Sequence, residues 1–192
     1  MSKAINKTAF PDKILPKKIL IVRLSAHGDV VQTLPLLSAL KDNDPECTIG
    51  WLTEASAEPL LKNHPLIAHL HVSKRKQWLK KPGFQSLQEF LALKNEIKGV
   101  DYDIAIDSQG LLKSAVWPAM TGIKTRLGNK NSRENASLFY THTLPPHQIT
   151  DKNTPAVLRY TEFSDFIFNW QLVTFTQGLD EIKNRWSLWH SG

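Results

Sequence analysis

The sequence is poor in the residues that build several common kinds of site. Cys47 is the only cysteine among 192 residues, which excludes an internal disulfide framework and any metal site with several cysteine ligands, and is typical of a reducing compartment. There is no Gly-x-Gly-x-x-Gly, Gly-x-x-x-x-Gly-Lys or Gly-x-Ser-x-Gly segment, so the fingerprints of dinucleotide binding, of a P-loop and of a hydrolase nucleophile are absent. His69 and His71 share a strand face without further clustered ligands, and we interpret them as ordinary strand histidines rather than as a metal site.

Long apolar runs are lacking as well. The longest strongly apolar stretch, residues 19–22, has four residues, whereas a membrane-spanning helix needs about 20. Residues 1–16 are polar and Lys-rich with two prolines, which predicts a flexible extension and not a secretory signal. The remaining composition, 41% apolar and 22% charged, is typical of a globular domain.

Short apolar segments alternate with helical patterns between residues 17 and 168. Predicted strands lie at residues 19–22, 47–52, 67–72, 102–106 and 123–127, and predicted helices at 30–41, 56–63, 86–99, 111–120 and 154–168. This alternation predicts an α/β fold, a Rossmann-like parallel sheet with helices on both faces. Residues 169–192 have no such pattern and are interpreted as a tail.

Individual residues predict where these helices begin and end. Pro35 is predicted to kink the first helix or to mark its true start, because proline cannot donate a backbone hydrogen bond. Ser86 and Glu89 are spaced as a capping box, and Gly99 lies where a C-terminal stop is expected.

Two loops follow predicted strands at the edge where α/β sheets bind ligands. In the first loop, Gly28 lets a ligand approach the backbone, and Asp29 either caps the next helix, which the spacing alone favours, or takes part in chemistry. The second loop adds Asp107, Gln109 and Lys113 at the same edge. Asp107 as a turn or cap residue and Lys113 as a solvated charge are the simpler interpretations.

The charge balance favours an anionic partner. Lys and Arg number 24 against 18 Asp and Glu, a net charge of +6, which suits nucleic acid, phosphorylated lipid or acidic sugar. The densest basic run, residues 74–81, is either a solvated connector or an anion-binding surface, and Trp78 within it suits a base or a lipid interface. Arg133 lies on a later connecting segment, where a surface salt bridge is the simpler role.

Three ordered segments resemble the motifs of the lipopolysaccharide heptosyltransferases of glycosyltransferase family 9, particularly type I. They are residues 19–35 (ILIVRLSAHGDVVQTLP), 102–115 (YDIAIDSQGLLKSA) and 133–140 (RENASLFY). The resemblance implies that residues 17–168 are the N-terminal, acceptor-binding half of a two-domain GT-B fold. The second, donor-binding domain of the family has no counterpart in this sequence, and the tail after residue 168 does not resemble the family.

The resemblance also implies a reaction and roles for residues. The family transfers heptose from ADP-heptose to Kdo of Kdo-lipid A with inversion, and Asp29 falls on its proposed general base. Gly28 would keep the turn bare for the sugar. The predicted acceptor-binding residues are Gly28, Lys74, Arg75, Gln109, Lys113 and Arg133.

The resemblance predicts partners too. Kdo-lipid A is the expected acceptor at the cytoplasmic face of the inner membrane, nucleic acid is not expected, and a separate chain could supply the donor-binding domain. No metal or cofactor is expected, and the ADP-heptose site is placed in the second domain. Because transfer requires donor and acceptor in one cleft, catalysis by this sequence alone is not expected. Two alternatives stay open: a non-catalytic module that binds anionic lipid or nucleic acid, and an inactive truncated remnant.

Overall fold

The computed structural model describes residues 16–144 and 156–173 of the chain. The elements are β1 Lys18–Val22, α1 His27–Thr33, α2 Pro35–Asn43, β2 Thr48–Glu54, α3 Glu58–Leu61, β3 His69–Ser73, α4 Arg75–Lys80, α5 Phe84–Val100, β4 Ile104–Asp107, α6 Leu112–Met120, β5 Thr125–Asn129, a 3-10 turn Ala136–Phe139, β6 His142–Leu144 and α7 Ala156–Val173. Among the helices of these two ranges, none is long and apolar enough to cross a bilayer.

The strands form one parallel sheet in the order β3-β2-β1-β4-β5-β6. The central strand β1 pairs with β2 on one side and with β4 on the other. The chain therefore changes direction across the sheet between β1 and β4, and the loops after these two strands diverge around a crevice at their carboxyl ends. The predicted Rossmann-like fold is confirmed.

Alternate residues of β1 serve two separate cores. Ile19 and Ile21 pack with Trp51 into the larger cluster, which α1, α2, α3 and α7 cover. Leu20 and Val22 point to the opposite face and pack under α5 and α6. A strand that is apolar on both sides thus lies between two helical layers, as expected for a buried parallel sheet.

Two elements differ from the sequence-based predictions. The basic segment at residues 74–81, predicted as a connector, contains the helix α4, Arg75–Lys80. The strand β6, His142–Leu144, was not predicted, because its three residues are too few to show an alternating pattern, and pairing with β5 defines it. The prediction that Pro35 marks the true start of a helix is confirmed, because α2 begins at this residue.

The ends of α5 correct the predicted caps. The helix begins at Phe84, so Ser86 lies inside it, and the Ser86 hydroxyl donates to the Lys81 carbonyl (2.7 Å) instead of capping. Gly99 also lies inside the helix, which ends before Asp101 in the left-handed conformation (φ 59°). At the other end of the fold, α7 continues past Phe168 to Val173, whereas Thr154 and Pro155 lie outside the described residues.

Candidate functional site

The loops after β1 and β4 meet at the carboxyl edge of the sheet. Gln109 accepts a hydrogen bond from the Leu24 N–H at Oε1 (2.9 Å) and donates to the Ser25 hydroxyl from Nε2 (3.4 Å). The Lys113 ammonium donates to the same hydroxyl (3.0 Å). The two loops singled out by their sequence are therefore joined through Ser25.

Asp29 lies in this crevice with one carboxylate oxygen anchored and the other open. Its Oδ2 is 2.6 Å from Nη2 of Arg23 and 3.4 Å from the backbone N of Ala26. Its Oδ1 contacts no hydrogen-bond or ion-pair partner among the described residues, and 46% of the side chain is exposed. The carboxylate is thus held in place and still accessible to a ligand.

The cap interpretation of Asp29 accounts for only part of this geometry. Asp29 is the third residue of α1, and Ala26 occupies the cap position. The bond that Asp29 accepts from the Ala26 N–H is long, at 3.4 Å, whereas the short contact is with Arg23. Helix capping alone would not require the Arg23 ion pair.

Arg23 is a residue of the site that the sequence analysis missed. Its guanidinium is buried, donates to the Ser108 carbonyl from Nη1, and lies 5.2 Å from the centre of the Tyr160 ring in α7. A buried cation is stable only when such partners compensate the loss of water. The sequence feature that could have identified Arg23 is its position directly after a strand that is apolar on both faces.

Glu54 is a second missed residue, at the end of β2. Its carboxylate is buried, with Oε2 3.2 Å from the Lys76 ammonium and Oε1 3.9 Å from that of Lys113. Neither oxygen accepts a hydrogen bond within the described part of the chain. Glu54 therefore forms ion pairs with two lysines, of which Lys113 also donates to Ser25, and it retains acceptor capacity. The sequence feature that could have identified Glu54 is its position at the carboxyl end of a buried strand.

The basic helix α4 contributes differently from what the sequence predicts. Lys76 is the member of this segment that reaches Glu54. Lys74 instead faces α5, where its ammonium lies 3.8 Å from the Glu89 carboxylate. Arg75 lines an apolar groove that also contains Lys113. No ion pair in the described structure joins Lys74 or Arg75 to the Asp29 crevice.

The segment that carries Arg133 packs on the turn after β4. The Arg133 N–H donates to the Gly110 carbonyl (2.9 Å), and Gly110 has a φ of +70°, which favours glycine. The Arg133 side chain is exposed, with no described partner. At Gly28, an added Cβ would meet no atom within 4 Å, so the space in front of the first turn is open.

Asp107 shapes this turn from inside the fold. Its buried carboxylate accepts hydrogen bonds from the Gln109 and Gly110 N–H groups and from the Ser114 and Tyr140 hydroxyls. Burial raises the pKa of the Asp107 carboxyl, and these hydrogen bonds oppose that shift. The simpler interpretation of Asp107 as a turn residue is confirmed.

One of the two histidines of β3, His71, is held by hydrogen bonds inside the fold. His71 is buried, with Nδ1 2.5 Å from the Glu96 carboxylate and Nε2 2.8 Å from the Tyr102 hydroxyl. Nδ1 then carries the proton and Tyr102 donates to Nε2. Across residues 16–144 and 156–173, no three His, Cys, Asp or Glu side chains come close enough together to hold a metal ion.

Comparison with known proteins identifies similar chains. A family model described as Glycosyltransferase family 9 (heptosyltransferase) matches residues 90–179. Lipopolysaccharide heptosyltransferase 1 of Campylobacter coli is 33% identical over 154 residues, which cover 79% of this chain and 42% of the relative. The enzyme of the same name from Pseudomonas aeruginosa is 35% identical over 134 residues, or 67% of this chain and 37% of the relative.

A solved structure shows the same fold. The Escherichia coli heptosyltransferase WaaC with ADP aligns with a TM-score of 0.68 and 29% identity, over 77% of this chain and 46% of WaaC. The chain thus spans less than half the length of the relatives and of the structure it matches. The family match continues past residue 168. Sequence, family model and fold therefore agree in showing that the chain is similar, over part of their length, to the heptosyltransferases of glycosyltransferase family 9.

Proposed function

We propose that this chain is the acceptor-binding half of a lipopolysaccharide heptosyltransferase I, which transfers heptose from ADP-heptose to Kdo of Kdo-lipid A with inversion. The single observation that carries the proposal is the Asp29 carboxylate at the crevice, with Oδ2 held by Arg23 and Oδ1 open. The names of the similar chains, lipopolysaccharide heptosyltransferases 1, support heptose as the transferred sugar and lipopolysaccharide as the class of product.

The chemistry requires one base on the acceptor side. A sugar hydroxyl becomes a strong enough nucleophile when a carboxylate removes its proton as the new bond forms. In an inverting reaction the hydroxyl attacks the anomeric carbon from the face opposite the leaving ADP, so a single base suffices there. Asp29 takes the proton at Oδ1, while Arg23 keeps the carboxylate from rotating. The scheme requires neither a metal nor a cofactor.

The surroundings of Asp29 suit an anionic acceptor. Kdo carboxylates and lipid A phosphates accept charge-assisted hydrogen bonds, which Arg133 and Lys113 can donate. The Arg133 backbone bonds to Gly110 in the loop after β4, and Lys113 donates to Ser25 in the loop after β1. Gln109 already bonds to Leu24 and Ser25, so it positions the first loop. We propose the cytoplasmic face of the inner membrane as the place of the reaction, because the acceptor is lipid-linked and basic side chains gain from anionic headgroups there.

Replacement of Asp29 by asparagine tests the catalytic part. We expect Asp29→Asn to lower heptose transfer to Kdo-lipid A by about 10²-fold to 10⁴-fold, the usual contribution of a general base. The assay uses the chain joined to the part of a longer relative that this chain does not match, where we propose that the donor binds. Asp42→Asn, an exposed carboxylate on α2, is the matched control and should leave the rate unchanged. An undiminished rate in Asp29→Asn would remove Asp29 from this role.

Binding by the chain itself tests the acceptor class. Titration with Kdo-lipid A in detergent and with a generic oligonucleotide, each at several salt concentrations, compares the two anions. We expect tighter, less salt-sensitive binding of Kdo-lipid A, and a loss in affinity in Arg133→Gln. Equal affinities with an equally steep salt dependence would instead indicate nonspecific electrostatic binding.

A further inference from the structure

The outer face of α5 carries apolar side chains that the fold leaves uncovered. Phe84, Leu87 and Leu91 are spaced three and four residues apart, so they share one side of the helix. All three are exposed, Phe84 by 76%, as is Leu79 of α4 by 64%. Leu79 and Leu87 also line the same groove between α4, α5 and α6. These residues form a single exposed apolar surface.

Positive charge lies on the α4 side of this surface. Residues 74–91 contain five Lys or Arg and one acidic residue, Glu89. Glu89 already accepts a hydrogen bond from the Trp78 indole and faces Lys74. Lys80 and Lys81 are exposed, and no acidic partner pairs with them in the described structure. Exposed aliphatic and aromatic side chains beside unpaired lysines are typical of helices that lie at a membrane surface.

The apolar groove connects this surface with the acceptor site. Its floor is rigid, since the Phe90 ring packs on Trp78 and Trp117 with centroid distances of 5.9 and 5.3 Å. Lys113 lines the groove and also donates to Ser25 in the Asp29 crevice. A lipid-linked sugar held at Asp29 would therefore have its lipid part on the side of α4 and α5.

We propose that Leu79, Phe84 and Leu87, together with Lys80 and Lys81, form a docking surface for an anionic phospholipid bilayer. The apolar side chains enter the headgroup region while the lysines contact lipid phosphates. The proposal rests on the proposed function in that it identifies the face of the acceptor domain that meets the membrane. Association with a second copy through this surface would bring two positive surfaces together, which disfavours it.

Vesicle flotation of the full chain tests the surface directly. Vesicles of phosphatidylglycerol and phosphatidylethanolamine, without Kdo-lipid A, are compared with phosphatidylcholine vesicles. We expect binding to the anionic vesicles only. The double variant Leu79→Ser with Phe84→Ser should lower the partition coefficient by about tenfold or more, and Lys80→Glu with Lys81→Glu also by about tenfold or more.

Matched controls separate docking from general changes in polarity or charge. Leu138→Ser removes an apolar side chain that is 75% exposed on the 3-10 turn, and Lys62→Glu reverses an exposed charge after α3. Both should bind vesicles as the unchanged chain does. Circular dichroism confirms that each variant is folded.

Several results would overturn the proposal. These are no binding of the unchanged chain to anionic vesicles, equal binding to neutral ones, or equal loss in the controls. A change in oligomeric state with unchanged partitioning in Leu79→Ser with Phe84→Ser would assign the surface to self-association instead. Because the vesicles lack the acceptor, loss of transfer in Asp29→Asn and loss of flotation in these variants report on the two proposals separately.

Discussion

At the residue scale, the site depends on one buried cation. Arg23 directly follows the last residue of β1. In the folded chain its guanidinium contacts the Asp29 carboxylate, the Ser108 carbonyl and the Tyr160 ring instead of water. An uncompensated buried guanidinium would cost several kcal/mol, so these partners both stabilise Arg23 and restrict where it can lie. The ion pair with Arg23 also orients the Asp29 carboxylate. The stability of this edge of the sheet is therefore linked to the geometry of the proposed base.

His71 makes the stability of the fold depend on pH. Burial lowers the pKa of His71, and the Glu96 carboxylate only partly opposes this. The unfolded chain titrates near the ordinary value of about 6.5, so just below that pH the unfolded state binds more protons than the folded one. Stability then rises with pH through this window and is lost as the pH falls.

Replacement of His71 by glutamine should flatten this dependence. Between about pH 7.5 and 5.5, the free energy of unfolding of the unchanged chain should fall more steeply than that of His71→Gln. Urea unfolding followed by circular dichroism measures both. His64→Gln, outside the Glu96 and Tyr102 network, should keep the steep slope. The same slope in all three proteins would contradict the assignment to His71.

At the element scale, α5 shows why a helix end cannot be read from one glycine. Gly99 is helical, and the left-handed C-terminal residue is Asp101. Aspartate can adopt this conformation because its short polar side chain bonds locally. The sequence offers two residues close together that can end a helix, and Ile97, about one turn before Asp101, is packed in the core.

The substitution Gly99→Ala tests whether α5 ends at Gly99 or continues to Asp101. Alanine should raise the free energy of unfolding by about 0.5–1 kcal/mol, because glycine weakens a helix interior. Gly122→Ala is the matched control, since an added Cβ meets no atom within 4 Å at either site but Gly122 has a φ of +81°. It should lower stability by about 1 kcal/mol. Destabilisation by Gly99→Ala in thermal unfolding would restore Gly99 as the stop.

At the scale of the whole molecule, α7 completes the core that the first strands begin. Phe163, Phe166 and Ile167 are buried in the same cluster as Ile19 and Ile21 of β1. Tyr160 of this helix also contacts Arg23. A helix from the far end of the described chain thus covers one face of the sheet and supports the candidate site.

Truncation of Phe163 should therefore affect the entire fold. Phe163→Ala is expected to lower the free energy of unfolding by about 3–5 kcal/mol, the usual cost of a cavity at a buried phenylalanine. Leu138→Ala, at an exposed apolar residue, should change it by less than about 0.5 kcal/mol. Urea denaturation measures both variants. A loss in Phe163→Ala no larger than that of Leu138→Ala would show that α7 does not close the core.

Much of the fold and part of the candidate site could be predicted from local sequence patterns. The buried strands, the break at Pro35 and the two loops that meet at Ser25 follow from period, proline chemistry and the rule that parallel strands end at one edge. The short strand β6 and the helix α4 could not, because three residues show no period and a run of lysines does not distinguish helix from loop. The roles of Asp29 and Arg133 stay predictions.

The sequence by itself determined the α/β class, the parallel sheet and the resemblance to glycosyltransferase family 9, because these depend on patterns of neighbouring residues. Only the tertiary structure showed that Arg23 anchors Asp29, that Glu54 lies between Lys76 and Lys113, and that Lys74 turns towards Glu89. These contacts join residues from separate elements. Their distances depend on how the sheet brings the loop ends together, and no local pattern contains that information.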